Sequence, residues 1–218
     1  NKCNRIVIEP RIKPFNLVTI SKCNELTDTC LRSSEIMKQN YLYSTIDPAF
    51  KDEVNSLRIF FEDYEAYLNS PTLMTKFDND KNFLDSIFPE FYSFLNKHIV
   101  TIDKLLIKLS LSDSDHSLYK EYYQKNLHRF FLKAPIIHRA YYKPEGYPGD
   151  FGIMKMIHKN EYLGENNFSR LLHKYSASIP GAQVAVLRTN FLENRMLEFY
   201  NEKKSDLIKI FSIASGPA

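Results

Sequence analysis

The feature that most constrains the fold is a spacing of three or four residues between apolar side chains, repeated through the middle of the chain. In one segment the apolar positions are Phe50, Val54, Leu57, Phe61, Tyr64 and Leu68. Because an α-helix turns once every 3.6 residues, this spacing gathers the side chains on one helix face. Similar patterns recur in residues 84–109 and 118–131. We therefore predict an antiparallel helical bundle over residues 28–134.

Residues that commonly flank helices mark several ends of these segments. Asp47 followed by Pro48 predicts a helix start, because aspartate caps free amides and proline fits the first turn. The polar run that begins at Ser112 predicts another start. Pro89 is expected to break or restart the helix of residues 84–109, since proline lacks the amide hydrogen that a helix interior needs.

Short stretches rich in β-branched or aliphatic residues lie near both ends of the chain. Residues 5–9 and 15–20 are separated by Pro10 and Pro14, which predicts a hairpin or the remnant of an upstream β domain within residues 1–27. Residues 207–213 form an apolar run that predicts a buried strand, followed by a turn of small residues. We take the chain as part of a longer protein, because it starts at Asn1 and ends inside that turn. The predicted fold class is mainly α with these short β elements.

Composition argues against several function classes. The chain has 218 residues, with 29 basic and 26 acidic side chains interspersed, which does not favour a nucleic-acid-binding face. No apolar run approaches the roughly 20 residues of a membrane helix. Three cysteines without a Cys-x-x-Cys pair favour a reducing cytoplasm over a disulfide framework. The six histidines lack metal-ligand spacing, so no metal site is predicted.

Glycine and proline become frequent after residue 135, which predicts specified turns between shorter helices in residues 135–206. Pro148 and Gly149 suit the central positions of a type II turn, and Asp150 suits the cap of a following helix. That reading accounts for the turn but not for its surroundings. Side chains suited to a polar, partly aromatic ligand cluster around it, namely Arg139, Tyr141, Tyr142, Lys143 and Tyr147.

A long helix is predicted over residues 182–203, after Pro180 and Gly181. Arg188, Phe191 and Arg195 share one face of it, because they lie three to seven residues apart. We expect Arg195 to pair with Glu193 or Glu198 on the same helix. Arg188 is the better candidate for holding a ligand carboxylate.

In order and spacing, these segments resemble a bacterial family of class I S-adenosylmethionine-dependent methyltransferases, the 3-hydroxypalmitic acid methyl ester biosynthesis type. The resemblance covers about the last 85 residues. It rests on residues 139–150, with Met154 and Ile157 behind them, and on residues 168–173, 182–195 and 210–218. It implies that a Rossmann-like cofactor domain starts at residue 207 and that residues 135–206 form a helical cap over its cleft.

The resemblance also implies the site. S-adenosylmethionine would be the cofactor, bound by Tyr147, Gly149, Asp150, Arg188, Ala214, Ser215 and Gly216. Tyr142 and Lys143 would meet a small-molecule methyl acceptor such as a carboxylate or fatty acid, and no residue is assigned to catalysis. The fragment is expected to be inactive alone, and a homodimer is left open. The alternatives are a non-catalytic helical module that dimerises or senses a ligand and, least favoured, a nucleic-acid-binding helical domain.

Overall fold

The computed structural model of the chain describes residues 17–203, and every element in that range is an α-helix. The helices are α1 (Leu17–Ser44), α2 (Pro48–Leu68), α3 (Pro71–Phe77), α4 (Lys81–Leu109), α5 (Asp113–Phe131), α6 (Pro135–Tyr142), α7 (Phe151–Lys159), α8 (Asn167–Ser178) and α9 (Pro180–Lys203).

The predicted fold class is wrong in its β elements, because the described residues contain helices alone. Residues 17–27 were expected in a β segment and instead form the start of α1. Helix propensities of β-branched residues such as Val18 and Ile20 are only about half a kcal/mol less favourable than that of alanine, so a long helix can include them. Residues 5–9 and the strand expected at residues 207–213 lie outside the described residues.

The chain divides into two compact units, residues 1–46 and residues 47–218. Helix α1 is the described element of the first unit. It is 28 residues long, and its apolar side chains do not form a single stripe. Several of them are exposed to solvent: Leu26, Leu31, Ile36, Met37 and Tyr41.

The second unit starts as the sequence predicts. Asp47 caps α2, where its carboxylate accepts a hydrogen bond from the Phe50 amide at 3.1 Å. The predicted apolar face of α2 is buried apart from Tyr64, which is half-buried. Ser112 caps α5 by accepting a hydrogen bond from the Asp115 amide at 3.3 Å. These caps confirm the predicted helix starts.

Helix α4 runs through Pro89 without interruption, so the predicted break is wrong. Leu84 lies before the proline and Phe91 and Leu95 follow it, and all three are buried. Apolar packing on both sides of the proline favours one continuous helix despite the missing hydrogen bond.

Helix α8 is the centre of the second unit. It packs against α2, α4, α6, α7 and α9. Phe168 on α8 joins an aromatic core, with its ring centroid 5.7 Å from Phe61 and 6.3 Å from Phe130. A smaller apolar cluster includes Ile136, Ile153 and Ile157 and connects α6 and α7 to the start of α9.

Candidate functional site

The turn between α6 and α7 is fixed by the buried carboxylate of Asp150. Asp150 caps α7, because one of its oxygens accepts a hydrogen bond from the Ile153 amide at 3.0 Å. Arg139 reaches the same carboxylate from α6, and its Nε donates to the two oxygens at 2.7 and 2.9 Å. The prediction that Asp150 caps this helix is confirmed.

Arg139 and Asp150 stabilise each other in their charged forms. The hydrogen bond from Arg139 lowers the pKa of Asp150, and the same contact raises the pKa of Arg139. Glu145, in the loop between the helices, lies 3.6 Å from the Arg139 guanidinium and adds a second, exposed acidic neighbour. The charge pair therefore ties the last turns of α6 to the first turn of α7.

Gly152 makes room for this contact. A Cβ atom placed on Gly152 would lie 2.5 Å from Nε of Arg139 and 2.6 Å from its Cζ. Only a residue without a side chain lets the guanidinium lie against the first turn of α7. Sequence reasoning missed this residue, and its signal is a glycine two positions after a helix-capping aspartate.

The positive φ angle in the loop belongs to a different glycine from the one predicted. Gly146 has φ +84°, and its amide donates to the Lys143 carbonyl at 2.8 Å. Lys143 ends α6 in the left-handed conformation, with φ +49°. Gly149 has neither a positive φ nor a close neighbour, so the predicted type II turn at Pro148 and Gly149 is wrong. The chain reverses earlier, directly after α6.

Aromatic rings cluster at the end of α6, and all of them are exposed except the half-buried His128 of α5. Tyr142 lies 4.4 Å from the ring of His138 and 5.1 Å from that of Tyr141, and Tyr141 lies 4.5 Å from His128. These four rings form a continuous series, which we call the ring series. Tyr147 is also exposed, in the loop that follows. The predicted substrate residue Tyr142 thus lies on a surface that can stack against a flat ligand.

A cleft of about 740 Å³ adjoins the ring series through His138. It lies where α6 and α8 begin, with Pro135 from the first helix and Asn166 and Ser169 from the second among its lining residues. Lys133 and Glu165 also line it, so both signs of charge are present. Asn166 and Ser169 cap α8 reciprocally, which leaves fewer free amides at that end of the cleft.

Helix α9 carries the predicted arginines on an exposed surface. Arg195 pairs with Glu198 at 2.5 Å, as predicted. Arg188 is exposed and has no ion pair or hydrogen bond with any residue in the described range 17–203. Its neighbour Thr189 lies 3.4 Å from His158, in the last turn of α7. Tyr147, in contrast, lies before the first turn of α7, at the opposite end of that helix.

The structure therefore brings some predicted site residues together and leaves others apart. Tyr142, Lys143, Tyr147, Gly149 and Asp150 share the α6–α7 connection. Between described residues, no hydrogen bond, ion pair or ring contact joins this connection to Arg188. The predicted cofactor residues Ala214, Ser215 and Gly216 lie outside the described residues.

His173 is a buried titratable residue that sequence reasoning did not single out. Its Nδ1 accepts a hydrogen bond from the Ile136 amide at 3.3 Å, near the start of α6, so the neutral ring carries its proton on Nε2. That Nε2 has no hydrogen-bond partner among the described residues. Burial lowers the pKa of His173 to about 4, with Lys174 as a second cause. The ring thus stays neutral at physiological pH and orients α6.

A comparison with protein-family models, curated proteins and solved structures finds no match to the chain. Within residues 17–203, no helix combines the length and apolar character that a membrane span needs. No group of three or more histidine, cysteine or acidic side chains in that range could hold a metal ion.

Proposed function

We propose that this chain is the N-terminal helical part of an S-adenosylmethionine-dependent methyltransferase, in which α6–α9 cover the cofactor and the methyl acceptor. One observation supports this above the others. The segment of residues 139–150, which carries part of the resemblance to the methyltransferase family, pairs Arg139 with the buried Asp150, and this pair supports an exposed tyrosine loop. A turn held this firmly, with Tyr142, Lys143 and Tyr147 exposed around it, suits ligand contact.

The contacts divide the proposed site residues by role. Both oxygens of Asp150 already accept hydrogen bonds from Arg139, and one also accepts from Ile153, so Asp150 positions the loop. Tyr147 offers an exposed ring and hydroxyl to the cofactor, and Tyr142 offers an exposed ring to the methyl acceptor. Lys143, in the same α6–α7 connection as Gly149, can attract the anionic acceptor.

Arg188 offers a guanidinium for the cofactor carboxylate, because it has no ionic partner within residues 17–203. The resemblance adds Ala214, Ser215 and Gly216, where small side chains would let the main chain approach the cofactor closely.

When bound, S-adenosylmethionine supplies a methyl group on a positively charged sulfur. A carboxylate acceptor is already nucleophilic, so the protein needs to orient it and exclude water, without a strong base. The products are a methyl ester and S-adenosylhomocysteine. Tyr147 and Arg188 act in this proposal as binding and orienting groups, and no side chain is assigned a proton transfer.

The remaining parts of the proposal follow from the composition. The acceptor is a small molecule, because basic and acidic side chains alternate and no basic face for nucleic acid is evident in the sequence. The protein is placed in the cytoplasm, on the strength of its cysteine usage. A homodimer is compatible with the exposed apolar residues of α9.

Calorimetry with S-adenosylhomocysteine on the full-length protein tests the proposal. Tyr147→Phe should weaken binding roughly two- to tenfold, the effect of one neutral hydrogen bond. Arg188→Ala should weaken it about ten- to a hundredfold, since a charged hydrogen bond is stronger. The matched controls are Tyr67→Phe and Arg195→Ala, which change an exposed tyrosine and an exposed arginine elsewhere. Absence of binding, or unchanged affinity in both site variants, rules the assignment out.

A second candidate function is a non-catalytic helical module that dimerises. It is favoured by the large apolar side chains that α9 exposes, namely Val184, Leu187, Phe191, Leu192, Met196, Leu197, Phe199 and Tyr200. Exposed apolar surface of this extent is typical of protein interfaces. This function predicts a concentration-dependent dimer in sedimentation and no heat of binding with S-adenosylhomocysteine. A monomer that binds S-adenosylhomocysteine excludes it.

A further inference from the structure

A cavity of about 270 Å³ lies in the second unit, between α2, α4 and α5. Its apolar wall is formed by Phe50, Ile99, Ile102, Leu106 and the ring of Tyr119. Side chains of the ring series and of α9 do not line it, so it is separate from the proposed methyltransferase site. We propose that this cavity binds a small neutral aromatic molecule, of one ring or two fused rings, that carries a hydroxyl or a ring N–H.

The size and chemistry of the wall set the class of ligand. An apolar cavity of roughly 150 Å³ in a protein core can hold benzene, and drug-sized ligands occupy roughly 300–1,000 Å³. A volume of about 270 Å³ therefore suits one or two fused rings. The aromatic side chains Phe50 and Tyr119 favour an aromatic ligand, because rings pack well edge to face against other rings.

The cavity is preformed, because two of its walls are held in place by contacts of their own. The Tyr119 hydroxyl accepts a hydrogen bond from the Asp47 amide at 2.8 Å. The Tyr119 ring packs on Phe50, with the centroids 4.8 Å apart, and Phe50 in turn follows the capped start of α2. A ligand that enters a preformed cavity loses little affinity to reorganisation of the protein.

Tyr123 provides the polar contact. Its side chain lines the cavity, and its hydroxyl makes no hydrogen bond with any described residue. Burial, together with the nearby Asp103 carboxylate, raises the pKa of Tyr123, so the hydroxyl stays protonated and can donate or accept. A hydroxyl or ring N–H on the ligand can therefore pair with it.

The charges at the cavity favour a neutral ligand. Besides the two tyrosines, the titratable lining residues are Asp103, His116 and Lys120, and all three are exposed. Asp103 and Lys120 carry opposite charges, so neither an anion nor a cation meets a field of one sign. Ion pairing with exposed groups of this kind contributes little in water.

The test is calorimetry of the 218-residue chain with indole, phenol and benzoate. Indole and phenol should bind with a Kd on the order of 1 mM or below, a usual range for so few atoms. Benzoate should bind more weakly than phenol. The proposal is overturned if neither indole nor phenol binds. It is also overturned if benzoate binds more tightly than phenol.

Two substitutions locate the binding. Leu106→Trp should fill the cavity and abolish indole binding, whereas Leu105→Trp, at a half-buried position of α4 that does not line the cavity, should leave it unchanged. Tyr123→Phe should weaken phenol binding roughly two- to tenfold, as expected for one hydrogen bond. Indole binding that survives in Leu106→Trp overturns the assignment to this cavity.

Amide chemical shifts provide a readout that does not depend on variants. Indole added to the unsubstituted chain should shift the amide signals of Ile99, Ile102 and Tyr123 more than those of the α6–α7 loop. Shifts confined to other helices overturn the proposal even if Leu106→Trp fails to fold. Failure of this proposal is distinguishable from failure of the proposed function. The indole titration reports on α2, α4 and α5, whereas the S-adenosylhomocysteine titration reports on residues of α6–α9.

Discussion

Helices α8 and α9 follow each other in the chain and bury their residues very differently. Nine of the twelve residues of α8 are buried, whereas in α9 every residue from 187 to 202 is exposed. Apolar content does not explain this, since α8 buries Asn167, Arg170 and His173, while α9 exposes Phe191 and Leu197. The difference comes from neighbours: α8 packs against five helices, and α9 packs against α7 and α8 near its start.

The buried polar residues of α8 are tolerated because most of their atoms have partners. Arg170 donates to the Asp78 carboxylate at 2.6 Å and to the side-chain Oδ1 of Asn167 at 3.0 Å. Asn167 also donates to the Phe77 carbonyl and accepts from the Asn79 amide. These bonds fix the connection between α3 and α4 to the central helix. The polar groups of α8 therefore determine where the α3–α4 connection packs against this helix. Apolar contacts alone would determine that position less specifically.

The largest effect on stability is expected from Phe168→Ala in α8. This ring is fully buried between Phe61 and Phe130, and its loss removes apolar contacts and leaves a cavity. We expect the free energy of unfolding to fall by about 3–5 kcal/mol. Urea denaturation followed by circular dichroism measures it. A loss below about 1 kcal/mol would mean that α8 is not the centre of the core.

The next largest effect is a loss of stability in acid that depends on His173. Its pKa is about 4 in the folded chain and about 6.5 when unfolded, so the unfolded state binds the proton first as the pH falls. Unfolding should therefore become easier between pH 6.5 and pH 4, by about 3 kcal/mol in total, and the effect is absent above pH 7.

Denaturation across this pH range in His173→Gln checks the assignment. Glutamine keeps an acceptor for the Ile136 amide but does not titrate, so the difference between the two chains isolates the histidine. Lys174 lowers the pKa of His173 and Glu161 raises it, so both residues stay unchanged in the comparison. His138→Gln, at an exposed histidine, serves as the control and should keep the acid sensitivity. Equal pH profiles for the unsubstituted chain and His173→Gln would contradict the prediction.

The sequence predicted the helices of the second unit well because local signals determine them. Apolar spacing, the caps at Asp47 and Asp150 and the prolines at helix starts all act within a few residues. The failures arose where tertiary contacts outweigh local preference, as at Pro89 inside α4. The strand prediction for the start of α1 was wrong for another reason, because β-branched residues disfavour a helix only weakly.

The candidate site was predictable in part. The sequence assigned the helix cap at Asp150, which is a local feature, whereas ligand contact by residues 139–150 stays a prediction. The sequence could not show that Gly152 admits the Arg139 side chain, because that depends on the approach of α6 to α7. The role of His173 could not be predicted for the same reason, because its hydrogen-bond partner, the Ile136 amide, lies 37 positions away in the sequence. The exposure of α9 after residue 186 likewise depends on which helices surround it.

The smallest effect is expected from Phe191→Ala, the same substitution as in α8 but on the exposed part of α9. In the 218-residue chain the free energy of unfolding should change by less than about 0.5 kcal/mol, because the ring is 62% exposed and little apolar surface is lost from the core. Under the proposed function, α9 is covered in the full-length enzyme, and there the substitution should cost about 3–5 kcal/mol, as for a buried aromatic residue. Parallel urea denaturation of the two chain lengths measures the difference. An equally small change in both would mean that Phe191 stays exposed in the longer protein, and a large change in the 218-residue chain would mean that α9 is already covered there, as in a dimer.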